Sequence, residues 1–347
     1  MHNVDLIDSD GWTVSLYGRQ PITGAPAPGA VLAGSHPAAP LDGAHLRWHP
    51  LRGEWIWYVA PDEAPLSLPD GAYDMAVFAQ RGAVADARRA LATTSLFAVP
   101  TAPAACLSEV LVYGRAGAGS LAQLPLAQLE LLLHVWADRS ARAAAMPHVR
   151  YVTAYEQHDP AARAGLPYAC GQLHGYPFIP PVAARSLRQE NAYFREHRRS
   201  LPGDLVQHET SDGVRVLYAD DEAIAFVPAC ARYPYEVWVL PVTDAAGFEA
   251  LSAQQRSSMA RAVHTVLRKY EGLWQRPFPY VMAWYQAPTD GADHPETRLR
   301  AEFYPLAAPA GRTGGYPRGA ELADGVSVLD VLPEAAAQQL QKIAVDI

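Results

Sequence analysis

Cysteine, lysine and long apolar runs are the scarce features of this chain. Its 347 residues include three cysteines, Cys106, Cys170 and Cys230. They stand far apart and form no Cys-x-x-Cys pair. That excludes a cystine-stapled framework and fits a reducing compartment. No stretch of about 18 uninterrupted apolar residues occurs, so no membrane span is expected. The N-terminal Met1-His2-Asn3-Val4-Asp5 lacks the basic and apolar regions of a signal peptide, and a cytoplasmic location is the expectation. Lysine is scarce beside arginine, which reflects coding bias more readily than function. The formal net charge is −8, which argues against nucleic acid as a main partner.

What is present points to a well-buried protein. Half the residues are hydrophobic and 18% are charged. The length suits two modest domains or one two-part fold. Residues 10–17 read as a short strand, and residues 21–44, rich in Pro, Gly and Ala, as an irregular connection. Further strands are expected at 55–59, 75–78, 109–113 and 149–155. Leu121, Leu124, Leu129, Leu132, Leu133 and Trp136 recur at helical spacing and predict a helix over 121–145. A second series follows: strands at 214–218, 223–228 and 235–241, a helix over 252–274 capped by Ser252, and strands at 280–285 and 299–304. An arginine-rich helix over 185–210 bridges the two series. The repeat is one of element order, with no clear repeat of residues. Residues 1–44, 45–184 and 185–347 are the expected divisions.

One segment carries chemistry: Gly171-Gln172-Leu173-His174-Gly175-Tyr176-Pro177. It sets a histidine between small residues, after a loop and before a Pro-bounded apolar run. Such an imidazole can meet a phosphorus atom without crowding, and in its neutral form it is a good nucleophile near pH 7. Read alone, the segment fits a polar residue at a strand end more readily than a nucleophile. The other histidines, among them His134, His158, His264 and His294, read as surface or helix-face residues. Gly114 to Gly119 looks like a phosphate loop but lacks the P-loop lysine.

Several dispersed motifs shift that balance. Leu46-Arg47-Trp48-His49-Pro50-Leu51-Arg52-Gly53-Glu54-Trp55, Tyr73-Asp74-Met75-Ala76-Val77-Phe78-Ala79-Gln80-Arg81, His174-Gly175-Tyr176, Tyr233-Pro234-Tyr235-Glu236, Pro279-Tyr280-Val281-Met282-Ala283-Trp284, Ala301-Glu302-Phe303-Tyr304-Pro305 and Gly319-Ala320-Glu321-Leu322 occur in order. Together they resemble the galactose-1-phosphate uridylyltransferase family of the histidine-triad superfamily, over roughly residues 45–340. The resemblance implies an α+β fold, a duplicated histidine-triad-like unit whose antiparallel sheet carries packed helices. It implies a nucleotidyltransferase that moves UMP or another NMP between an NDP-sugar and a sugar 1-phosphate through a covalent nucleotidyl-His174. The alternatives are a dinucleotide phosphorylase or hydrolase, or a nucleotide-binding protein without catalysis.

The departures from the family pattern are as informative. Where the family has zinc ligands, the segment 66–73 has no cysteine, the third position falls near Ala116-Gly117, and the fourth is Gln172. Four ligands are needed for a structural zinc. At the family's second metal site stand Val182, Tyr285, Arg300 and Glu302. No metal and no cofactor are therefore expected. Arg300 and Glu302 lie two apart and share a strand face, so a positive charge there stands in for a cation. Tyr176 replaces the glutamine that orients the phosphate; Gln80 and Gln157 fall on its asparagine positions; its arginine pair lands near Glu63 and Leu66. The implied site is His174 as nucleophile, with Phe78, Gln80, Gln157, Gln172, Tyr176, Arg300, Glu302, Tyr316, Arg318 and Glu321 binding substrate. The partners implied are small molecules, an NDP-sugar and a sugar phosphate, and a second copy in a homodimer whose C-terminal segment presents Glu321 to the other subunit's His174.

Overall fold

The computed structural model describes residues 1–8, 12–25, 31–32, 44–59, 68–80, 99–104, 106–114, 120–158, 169–275, 279–307 and 319–345. Fifteen strands and six α-helices are placed among them. Twelve strands form one sheet. The first strands are β1 (His2–Asp8), β2 (Thr13–Gly18) and the two-residue β3 (Val31–Leu32). β1 was not foreseen in the sequence. Then come β6 (Met75–Ala79), β8 (Leu107–Val112), helix α1 (Leu126–Ala144), β9 (Tyr151–His158) and β10 (Cys170–Tyr176). The same order recurs in β12 (Ala223–Phe226), β13 (Val237–Pro241), helix α4 (Ala253–Trp274), β14 (Tyr280–Tyr285) and β15 (Arg300–Pro305). β11 (Val216–Ala219) flanks β12.

The spatial order is β11-β12-β13-β15-β14-β9-β10-β8-β6-β2-β1-β3. All pairings are antiparallel except the short β1–β3 contact. The two four-strand sets meet where β9 pairs β14, so the duplication closes into one continuous sheet. Their registers also match. Tyr155 of β9 faces Gln172 of β10, and Tyr285 of β14 faces Arg300 of β15. The repeat therefore extends to residue positions, which the sequence did not disclose.

One face of the sheet is covered by α1, α4 and α6 (Pro333–Gln341). Leu129, Leu132, Leu133 and Trp136 of α1 and Met259, Val263, Val266 and Tyr270 of α4 are buried there against Val152, Leu173, Val239 and Phe303. Helical spacing put these residues on one stripe, and burying that stripe drives the layer together. The expected helix over 121–145 is divided: a 3-10 turn at Leu121–Gln123 precedes α1, because Pro125 caps α1 and cannot continue a helix from before. α4 starts at Ser252, which forms a capping box with Gln255. The opposite face is partly covered by α2 (Pro181–His197) and α3 (Leu201–Asp212), two helices where one was expected. Arg198 sits at positive φ between them and ends α2. A small sheet of β5 (Glu54–Tyr58), β4 (His45–His49) and β7 (Thr101–Pro103) packs over the same face through Leu46, Ala104 and Cys106.

Candidate active site

His174 lies inside β10, paired on one side with Thr153 of β9 and on the other with Ser108 of β8. It is neither at a strand end nor in a loop. Alternation along the strand puts Gln172, His174 and Tyr176 on one half-buried face and Gly171, Leu173 and Gly175 on the buried face. The small residues flanking the histidine serve that second face. A Cβ on Gly171 would lie 1.7 Å from the Tyr113 hydroxyl, and one on Gly175 would lie 3.2 Å from Leu107 and 3.3 Å from Val149. Their smallness admits core packing rather than a phosphorus atom, which corrects the expectation from the motif.

Three aromatic rings meet the imidazole nearly edge-on. Their centroids lie 5.0 Å away for Tyr155, 5.2 Å for Trp57 of β5 and 5.8 Å for Tyr176. His174 Nδ1 is 2.9 Å from the Tyr176 hydroxyl. The Tyr155 hydroxyl donates to Gln172 Oε1. Burial pushes the His174 imidazole down to about 4, so the ring is neutral at pH 7. Burial pushes both phenols well above their ordinary range, so both keep their protons. The Tyr176 hydroxyl oxygen is thus directed at the histidine. In the tautomer that carries its proton on Nδ1, that N–H donates to the Tyr176 oxygen and Nε2 keeps its lone pair.

The other residues singled out in the sequence are distributed unevenly. Gln80 accepts a hydrogen bond of 2.7 Å from Ser108, the cross-strand neighbour of His174. Phe78 is buried with Leu16 and Val112. Gln157 is exposed on β9, while Glu156 beside it is fully buried on the opposite face. Arg300 and Glu302 lie on β15, three strands from β10, about 14 Å at ordinary strand spacing. Glu321 sits on the short helix α5 (Gly319–Ala323) and accepts from the Val328 backbone N–H at 3.1 Å. Tyr316, Arg318, Glu63, Leu66 and Ala116-Gly117 lie outside the described residues.

Arg300 and Glu302 belong to a second constellation at the register positions of Gln172 and His174. The Arg300 guanidinium donates to Glu302 Oε1 at 2.7 Å, to Glu190 Oε1 of α2 at 3.1 Å and to Ser186 at 2.8 Å. It also lies 4.9 Å over the Tyr285 ring. Burial opposes its charge, and the carboxylates of Glu302 and Glu190 more than offset that. The Tyr304 hydroxyl donates to Glu302. Beside it, burial and the charge of Glu302 push the Glu236 carboxyl up to about 7, against hydrogen bonds from Trp238 and the backbone of Arg232. Arg300 and Glu302 do share a face, as their spacing required. Among the described residues no group of three or more His, Cys, Asp or Glu side chains is placed to hold a metal ion. His158 proves buried on β9 against Tyr280, and His294 is clipped between Asp290 and Glu296 at 2.9 and 3.0 Å; neither is the surface residue expected.

Tyr155 and Trp57 were missed. Tyr155 is signalled only by sharing a strand face with Thr153 and Gln157, and its pairing with Gln172 depends on a strand register that nothing local in the sequence fixes. Trp57 belongs to a separate sheet, so only tertiary packing brings it to His174. Its buried indole N–H has no hydrogen-bond partner among the described residues.

This geometry can be set beside known proteins. A family model, galactose-1-phosphate uridyl transferase, C-terminal domain, matches residues 186–347. The galactose-1-phosphate uridylyltransferase of Thermotoga maritima is 28% identical over 240 residues, covering 69% of this chain and 74% of its own. That of Streptomyces lividans is 28% identical over 249 residues, covering 68% and 69%. The solved structure of a uridylyltransferase mutant superposes with a TM-score of 0.77 at 23% identity, covering 86% of this chain and 97% of its own. An ADP-glucose phosphorylase from Arabidopsis thaliana, solved with ADP-glucose, superposes with a TM-score of 0.64 at 18% identity over 79% and 83%. The shared fold, the family match over the second half and the ordered motifs make this chain a diverged relative of the galactose-1-phosphate uridylyltransferases.

Proposed function

We propose that the chain is a nucleotidyltransferase working by double displacement, with His174 as nucleophile. The observation that carries this reading is the neutral, half-buried imidazole whose Nδ1 lies 2.9 Å from the Tyr176 hydroxyl; with the proton on Nδ1, Nε2 has the lone pair that the reaction needs. Nε2 attacks the α-phosphorus of an NDP-sugar. The N–P bond forms as the P–O bond to the sugar phosphate breaks, and the leaving oxygen keeps the electron pair. A sugar 1-phosphate oxygen then takes the nucleotide from His174. Gln172, Gln80 and Ser108 supply neutral polar groups near the ring. Inorganic phosphate or water as acceptor gives a phosphorylase or hydrolase by the same first step.

The expected homodimer receives support from α5 and the segment after it. Leu322, Val326, Val328 and Leu332 are exposed apolar side chains along it, a pattern suited to burial against a second copy. Sedimentation should report a dimer.

The test of the chemistry is direct. Labelled UDP-glucose, and a set of other NDP-sugars, should leave an acid-labile, alkali-stable nucleotidyl adduct on the protein. His174→Asn should form none. Turnover retained in His174→Asn would overturn the reading. Offering hexose 1-phosphate, inorganic phosphate or water to the isolated adduct identifies the acceptor.

A further inference from the structure

The Tyr155 hydroxyl touches the reacting ring in a distinctive way. Its proton is committed to Gln172 Oε1, so it presents lone pairs to the imidazole. Its oxygen lies 3.2 Å from Nε2 and 3.4 Å from Nδ1. An atom nearly equidistant from both ring nitrogens is aligned with the in-plane direction of neither. It contacts the ring as a whole and lies off the in-plane axis of Nε2. Nδ1 already has its in-plane partner in Tyr176 at 2.9 Å.

We propose that Tyr155 is a catalytic residue whose oxygen stabilises the positive charge that the His174 ring acquires when Nε2 bonds to phosphorus. The proposal rests on the nucleotidyl-transfer reading. In that step the Nε2 lone pair becomes the N–P bond, Nδ1 keeps its proton and donates it to the Tyr176 oxygen, and the ring carries one positive charge. When the acceptor oxygen displaces Nε2, the electron pair returns and the ring is neutral again. The need for a compensating dipole follows from the surroundings. A site buried enough to keep the imidazole neutral also penalises a cationic adduct. A preorganised oxygen against the ring offsets that penalty without reorganisation. Gln172 fixes its orientation, because it removes the proton that would otherwise turn toward the ring.

The test uses the full chain carrying Tyr155→Phe. The rate of adduct formation from UDP-glucose should fall about three- to tenfold, with KM nearly unchanged, as expected for one weak polar contact made to the charged state. In an NMR titration of the ring carbons and nitrogens, the His174 titration should move to lower pH. Tyr285→Phe, at the equivalent register position of the second set, should change neither. Unchanged rate and titration in Tyr155→Phe, or a titration moved to higher pH, would overturn the proposal. If the wild-type protein forms no adduct yet the titration moves as expected, the ring-stabilising role stands and the nucleotidyl-transfer reading alone falls. Should Tyr155→Phe not fold, Gln172→Leu releases the Tyr155 proton toward the ring. The same two losses are then expected, and their absence overturns the proposal.

Discussion

The two strand sets hold the same framework and fill it with opposite electrostatics. In the first, Tyr155, Gln172, His174 and Tyr176 form a neutral group around an imidazole. In the second, Tyr285, Arg300, Glu302 and Tyr304 occupy the matching positions around an ion pair. The tyrosines are common to both. The difference lies in what they surround. The first set surrounds a neutral ring, whereas the Arg300 guanidinium of the second donates to two carboxylates and a serine. The second set is built to hold. What the second holds is α2, the helix that leaves the His174 strand: Arg300 ties Ser186 and Glu190 of α2 to β15.

The sharpest way to break this comparison is to remove the central group from each set. Arg300→Met should cost about 3–5 kcal/mol, because it leaves the buried carboxylates of Glu190 and Glu302 uncompensated. His174→Asn removes no charge at neutral pH and should cost far less stability while abolishing the adduct. Urea unfolding of both variants measures this. Equal losses would mean that the two groups play the same structural role.

The second prediction concerns the sign of pH dependence. His174 falls from 6.5 to about 4 in the folded state. The unfolded chain therefore takes up its proton first, and the contribution present above pH 6.5 is lost as pH falls toward 4. Glu236 rises from 4.5 to about 7. Here the unfolded chain releases its proton first, and the contribution present below pH 4.5 is lost as pH rises toward 7. Each effect is on the order of 3 kcal/mol at full extent. Between pH 4.5 and 6.5 the two slopes oppose each other. Relative to the wild type, His174→Asn should lessen the loss of stability on acidification, and Glu236→Gln the loss on raising pH. Chemical denaturation across pH 4–8 reads both, and slopes of the same sign would refute the contrast.

The sequence disclosed the layers better than the site. Helical spacing in α1 and α4, the Ser252 cap and the aromatic, β-branched strands are local signals, and each appears close to its expected bounds. β1 was missed because His2-Asn3-Val4-Asp5 reads as a polar terminus, although pairing with β2 makes it a strand. At the site, His174, Gln172 and Tyr176 were singled out by the motif that carries the family resemblance, although no strand was expected over 170–176. Tyr155 and Trp57 were not, since strand register and the packing of a second sheet are decided by tertiary contacts. Arg300 and Glu302 were correctly placed on a shared face, yet their partner Glu190 lies 110 residues away and left no local mark. The matching registers of the two sets were hidden for the same reason: the chemistry of the facing residues differs while the geometry repeats.

The smallest effect tests the buried face of the same two strands. On β10 that face carries Gly171, Leu173 and Gly175, whereas the matching positions of the second set are Leu299, just before β15, and Ala301 and Phe303 of β15, all fully buried. The first set thus uses glycine where the second tolerates side chains, because Tyr113 reaches into the space beside Gly171. Gly171→Ala should cost about 1–3 kcal/mol through displacement of the Tyr113 ring, the ordinary cost of overpacking. Removing the hydroxyl should restore part of it: Tyr113→Phe combined with Gly171→Ala should be more stable than Gly171→Ala alone, while the Tyr113 ring carbon and the Tyr155 backbone oxygen, each 2.9 Å from the new methyl group, keep the rest of the cost. Thermal unfolding of the single and double variants gives the coupling between the two positions. Additive losses would show that the glycine is required by the backbone of β10 itself, and that the two strands differ in more than what packs behind them.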